Sequence, residues 1–182
     1  MTLANATNQL FGVLTVIAQL LSLVLLVCVI ARNRIQSSRI SGWIGNHAIT
    51  LAFVVALTAT LGSLWYSEVL KYDPCKLCWL QRIFMYPQAL LFGIALWQKD
   101  KEMLLYGMIF SAIGGLIAGY HYLLQLGVVP EGSCSTVGYS VSCAKRFVMQ
   151  FGYITLPLMA LSAFLLILLI CIAGRRFAGS LK

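Results

Sequence analysis

Five stretches of roughly twenty apolar residues set what this chain can become: Phe11–Ala31, Ala48–Leu70, Trp79–Trp97, Met103–Leu126 and Phe151–Ala173. At about 1.5 Å rise per residue, each is the length of one helical bilayer crossing. Each must be helical, because an unpaired backbone amide or carbonyl is too costly in hydrocarbon. Composition removes the water-soluble alternative. Hydrophobic residues make up 60% of the 182 and charged ones only 10%, against roughly 25% charged in soluble domains. A core of this size cannot shelter so much apolar surface from water. The expected fold class is therefore an all-α integral membrane protein. The first run reads as a retained span and not a cleaved signal peptide. No positive charge precedes it, no small-residue cleavage motif follows it, and Arg32 and Arg34 crowd its C-terminal end.

The net charge of +8 does not point to nucleic acid, because the basic residues sit at the ends of apolar runs and not along one face. If the crossings alternate, Arg32, Arg34, Arg39, Lys99, Lys101, Arg175, Arg176 and Lys182 share one side, while Lys71, Lys76, Lys145 and Arg146 share the other. The basic excess predicts an outer N-terminus and a cytoplasmic C-terminus. Residues 32–47 read as a basic linker behind the first span, and residues 127–150 as the longest outer loop. The organisation expected is an N-terminal span with its linker over 1–47, the other four spans over 48–173, and a short basic tail over 174–182.

Four of the six cysteines then face the outer side, where disulfides persist. Cys28 and Cys171 lie inside apolar runs and read as small hydrophobes. Cys75 and Cys78 form a C-x-x-C at the mouth of the third span, behind Pro74, a residue suited to a helix start. Unpaired N–H groups and the helix dipole favour thiolate there. Residues 75, 78 and 82 follow an i, i+3, i+7 spacing, so Arg82 should lie on the same helical face, a turn inside the membrane. Cys134 and Cys143 enclose the pliable segment Ser-Thr-Val-Gly-Tyr-Ser-Val-Ser.

Blander readings compete at each position. The two pairs together would make a four-cysteine zinc site, although such sites belong mostly to small soluble modules. Two structural disulfides are a second alternative, but a C-x-x-C ring closes almost no loop and stabilises little. Arg82 fits either a snorkelling span-end residue or a cation aimed at a redox centre. His121, in Gly-Tyr-His-Tyr, fits an interfacial anchor or, at the depth of Arg82, one wall of a pocket for a flat headgroup. At the level of function, a conduit carrying reducing power outward and a non-enzymatic scaffold or channel stay open beside a disulfide-forming enzyme.

The run Pro74-Cys-Lys-Leu-Cys-Trp-Leu-Gln-Arg-Ile-Phe-Met-Tyr-Pro87 resembles the signature of the DsbB family of bacterial thiol–quinone oxidoreductases, in the form of its short-looped BdbC branch. The likeness covers roughly residues 48–173, including the order of the two cysteine pairs. The related vitamin K epoxide reductases, with C-x-x-C near the chain end, fit less well. The resemblance implies a four-helix transmembrane bundle, to which Phe11–Ala31 adds one N-terminal transmembrane helix. It also implies a bound quinone (ubiquinone or menaquinone) in the bacterial inner membrane, and a DsbA-like periplasmic thioredoxin-fold partner. By position, it makes Cys75, Cys78, Cys134 and Cys143 the catalytic cysteines, with Cys78 the thiolate nearest the quinone. It makes Arg82 and His121 the quinone-binding residues, and Cys134 and Cys143 the pair that meets the partner. The first span and the short second loop depart from the best-known family pattern. No metal is implied.

Overall fold

The computed structural model describes residues 3–31, 39–130 and 142–177. Among these residues lie five α-helices: α1 (Leu3–Ile30), α2 (Arg39–Leu64), α3 (Lys76–Gln98), α4 (Met103–Leu126) and α5 (Leu156–Phe177). No strand occurs among the described residues; a single antiparallel bridge joins Gln150 to Ile154. All but α3 are both long and apolar enough to cross a membrane. Several boundaries differ from the apolar runs. Apolar α1 starts at Leu3, and α2 begins at Arg39, inside the stretch expected to be linker. Its last turn widens into a π-helix over Trp65–Val69. The fifth helix waits until Leu156, because Phe151 and Gly152 take positive φ angles of 51° and 79° and turn the chain first.

Helices α2, α3, α4 and α5 pack in cyclic order, and α1 lies along α5. Small residues permit the close approaches. A Cβ at Gly114 would stand 2.4 Å from the ring of Phe164, and one at Gly107 would stand 2.4 Å from the ring of Phe92. Both rings are fully buried in the main core with Met85, Leu104 and Ile167. Apolar side chains such as Leu90, Leu116 and Trp97 point outward, the arrangement for a solvent of lipid and not water.

Helix α1 shows this inversion most clearly. Its buried residues include Asn8, Gly12, Thr15 and Ser22, while Leu10, Leu20, Leu23 and Val24 are exposed. In lipid the leucines lose nothing by facing out, and polar groups gain by meeting protein partners. Asn8 accepts from the Tyr66 hydroxyl at 3.1 Å, Thr7 from the Trp65 indole at 3.3 Å, and Gln19 donates to Ser162 at 3.2 Å.

Candidate functional site

The dithiol sits where α3 begins. Cys75 is the N-cap, with extended backbone (φ −72°, ψ 173°), and its sulfur accepts from the Cys78 N–H at 3.4 Å. Pro74 thus precedes the cap and does not open the first turn. The extended cap has a consequence that helical spacing misses. Cys78 and Arg82 share a helical face and line one cavity, while Cys75 turns away from it into a separate buried cluster with Leu124 and Cys143. The two sulfurs, 3.1 Å apart, have different surroundings: Cys75 is buried in the cluster of the second cysteine segment, whereas Cys78 packs against that cluster and also lines the cavity.

Three groups converge on Cys75 Sγ. Cys78 Sγ lies 3.1 Å away, in a hydrogen bond that Cys78 donates once Cys75 is ionised, and His121 Nε2 lies 3.7 Å away, in addition to the backbone N–H. The Cys78 hydrogen bond, opposed by burial and aided by His121, brings the Cys75 thiol from 9.0 down to about 4. The tautomer of His121 follows from its partners. The backbone carbonyl of Cys143, 3.1 Å from Nε2, can only accept, so Nε2 carries the proton. In the neutral ring Nδ1 is then the acceptor, and the Gln81 amide donates to it at 3.0 Å. Of the two readings of His121, an interfacial anchor or a pocket wall at the depth of Arg82, neither describes its surroundings here: it is buried against Cys75, and the cavity is lined by Arg82 but not by His121. α4 brings it to Cys75, because Ala118, His121, Leu124 and Gln125 form its buried face.

Arg82 is held by Ser63, which accepts from Nε at 3.0 Å through its hydroxyl and from Nη2 at 3.1 Å through its carbonyl. Tyr86 also donates to the Ser63 hydroxyl, at 3.2 Å. The guanidinium lies 5.1 Å from the centre of the Trp79 ring, and no carboxylate among the described residues pairs with it. The cavity it lines is about 350 Å³, in the range of small-molecule sites at roughly 300–1,000 Å³. Its walls are mostly apolar side chains of α1, α2, α3 and α5.

The residue pattern around this dithiol is that of a known family. A family model described as "Disulfide bond formation protein DsbB" matches residues 45–174. The chain belongs to the DsbB family. "Probable disulfide formation protein" of Oceanobacillus iheyensis is 46% identical over 125 residues, which cover 67% of this chain and 84% of that protein. "Probable disulfide formation protein C 1" of Bacillus anthracis is 40% identical over 122 residues, 67% and 87% of the two chains. "Disulfide bond formation protein C" of Bacillus subtilis is 44% identical over 118 residues, 65% and 85%. No solved structure matches. This DsbB-family protein is thus a multi-pass membrane protein of a disulfide oxidoreductase family, working on a thiol–disulfide partner.

The states of its cysteines differ. Cys143 is disulfide-bonded, whereas Cys28, Cys75, Cys78 and Cys171 are free. Cys134 lies outside the described residues. The segment after Cys143 is tied to α4 by Arg146, which donates through Nε and Nη2 to the Gln125 carbonyl, and by Gln125 Nε2, which donates to the Lys145 carbonyl at 3.1 Å. Cys75, Cys78 and His121 also place their ligand atoms within 4.8 Å of one another, but these atoms are already engaged in the hydrogen bonds described above. Three residues of the site escape sequence reasoning. Gln81 is visible only as a polar residue inside an apolar run, and Ser63 and Phe11 carry no local signal, since their roles depend on which helices become neighbours.

Proposed function

We propose that this DsbB-family protein reoxidises a DsbA-like thioredoxin-fold dithiol outside the cytoplasm and passes the electrons to a membrane quinone, ubiquinone or menaquinone. In this reading the domain core is residues 48–173, residues 1–47 supply an additional span, and 174–182 form a cytoplasmic tail. All five helices cross the bacterial inner membrane, with the N-terminus and both cysteine segments on the periplasmic side. The observation that carries it is the asymmetry of the C-x-x-C pair, with Cys75 buried against Cys143 and Cys78 bridging that cluster to an apolar cavity with an arginine in its wall.

The residues assign themselves to steps. The partner's thiolate attacks the Cys134–Cys143 disulfide at Cys134, forming a mixed disulfide and releasing Cys143 as thiolate. Cys143 attacks the Cys75–Cys78 disulfide at Cys75, and Cys78 leaves. The partner's second thiol then displaces Cys134, and Cys134 attacks Cys143 and displaces Cys75, so the loop pair is again a disulfide and the partner leaves oxidised. The two electrons of its dithiol now reside on Cys75 and Cys78, with one of its protons on Cys78 and the other released to water. Donors around Cys75 Sγ hold that sulfur as an anion once reduced, and the proton stays on Cys78. The cavity fits a flat apolar headgroup: its volume is adequate, its walls are mostly apolar, and Arg82 supplies donors that form no ion pair with Asp73, which also lines it. Arg82 and Tyr86 would hold the headgroup next to Cys78. When bound there, the quinone supplies the two-electron acceptor that returns the pair to disulfide. Arg82 favours negative charge accumulating at that position.

The test combines purified protein, a reduced thioredoxin-fold dithiol and a quinone, and follows quinone absorbance. Consumption that requires both Cys75 and Cys78 is expected. A wild-type protein that consumes no quinone, or a Cys75→Ser variant that consumes it undiminished, defeats the reading.

A further inference from the structure

Helix α1 lies outside the residues matched by the family model, yet it forms one side of the cavity. Phe11, Leu14, Thr15, Ala18 and Leu21 line it opposite α2 and α3. Over residues 11 to 21, α1 covers about 15 Å of its depth, more than the level of Cys78 and Arg82 requires. The helix is pinned at both ends. Near the dithiol, the Phe11 ring rests on Gly62 of α2, where a Cβ would stand 2.6 Å away, and packs 5.5 Å from Tyr66. At the far end Val29 joins Ile44, Ala173 and Phe177 in one buried cluster. Between these contacts α1 follows α5 and stands off α2, so the space between them is enclosed and not filled.

A row of rings roofs this space. Phe11 packs on Tyr66, Tyr66 stacks on Tyr72 at 6.0 Å, and Tyr72 stacks on Phe147 at 5.1 Å. All four line the cavity. The row runs from α1 to the segment just before Cys75 and on to the segment just after Cys143.

We infer that α1 is the lateral wall of the acceptor chamber: it closes the face that α2 and α5 would otherwise open to lipid, and it selects electron acceptors by their tails. This rests on the quinone reading above. The headgroup lies under the ring roof beside Cys78 and Arg82, and the tail must pass along Ala18 and Leu21 at the deep end. Bulk added there obstructs a tail but leaves the headgroup site intact.

The test is equilibrium binding to full-length protein in detergent, read by quenching of intrinsic tryptophan fluorescence, with menadione and with a long-tailed menaquinone. Oxidation of a reduced thioredoxin-fold dithiol by one equivalent of protein without quinone reports the exchange steps separately. Ala18→Phe is expected to weaken the long-tailed quinone about 10- to 100-fold, leaving menadione binding and the stoichiometric exchange within about twofold. Leu21 is half exposed, so Leu21→Trp disturbs little buried packing and serves if Ala18→Phe fails to fold. Equal losses for both quinones, or no loss for either, overturn the wall inference while wild-type binding stands. Failure of the wild type to bind any quinone overturns the acceptor reading itself, and the inference with it.

Discussion

Replacing His121 by Phe, which keeps ring volume but removes the donor, isolates one of the three hydrogen bonds to Cys75. The contact from Nε2 is long, 3.7 Å, and sulfur is a weak acceptor. It therefore belongs at the low end of charge-assisted bonds, about 1.5 kcal/mol. That corresponds to about one pH unit on the Cys75 thiol, raising it from about 4. The same energy appears in the redox equilibrium. A thiolate stabilised in the reduced form makes the disulfide more oxidising, so losing the donor lowers the Cys75–Cys78 potential by about 30 mV at pH 7. The sign of the pH dependence follows from the depressed value. The stabilisation of the reduced form is complete above 9.0 and disappears as pH falls through about 4. Wild type and variant should therefore differ at neutral pH and converge in strong acid. The variant also leaves the Cys143 carbonyl and the Gln81 amide without their partner, at about 1–3 kcal/mol of stability each. The potential compares two redox states that share this defect, so it reads the Cys75 contact separately from the fold. The assay is equilibration against a dithiothreitol couple over a pH series, with thiolate ultraviolet absorbance of the reduced protein as a second readout. Unchanged potentials at neutral pH, or an equal gap at every pH, would refute the assignment of His121 as a donor to Cys75.

Arg82→Gln should slow quinone reduction by about 100-fold or more while stoichiometric oxidation of the partner dithiol proceeds normally; parallel losses in both half-reactions would point to misfolding. In Cys78→Ser, Cys75 keeps its place beside Cys143 but has lost its own disulfide partner, so attack of its thiolate on the loop disulfide should leave a Cys75–Cys143 disulfide detectable by non-reducing peptide mapping. Cys75→Ser should form less of a Cys78–Cys143 disulfide, since Cys78 sits at the edge of the Cys143 cluster and also lines the cavity. Gly114→Ala drives a methyl into the Phe164 ring, which is fully buried and cannot retreat. Thermal unfolding in detergent should show a loss of about 1–3 kcal/mol, with no comparable loss for Gly119→Ala, where a Cβ meets nothing within 4 Å.

The sequence alone was enough for the class of molecule and its family. Hydrocarbon leaves the backbone no option but helices, so apolar run lengths announce them. A C-x-x-C followed by an arginine is a local pattern that survives in any fold containing it. The boundaries were less legible. Where α2 begins at Arg39 and where α5 waits for Leu156 depends on turns, such as the positive-φ pair Phe151 and Gly152, which hydropathy does not register. What only the tertiary structure decided is direction. Spacing put Cys75, Cys78 and Arg82 on one face, but the extended backbone of the cap turned Cys75 towards His121 and Cys143 and left Cys78 with Arg82 at the cavity. His121 and Gln81 became partners only when α3 and α4 packed, and Phe11 and Ser63 entered the site only through the placement of α1 and α2. Periodicity reports which side of a helix is apolar, and in a lipid solvent that says little about which neighbour it meets. Neighbours are chosen by steric fit at small residues and by buried polar pairs, and those contacts are long-range in the chain.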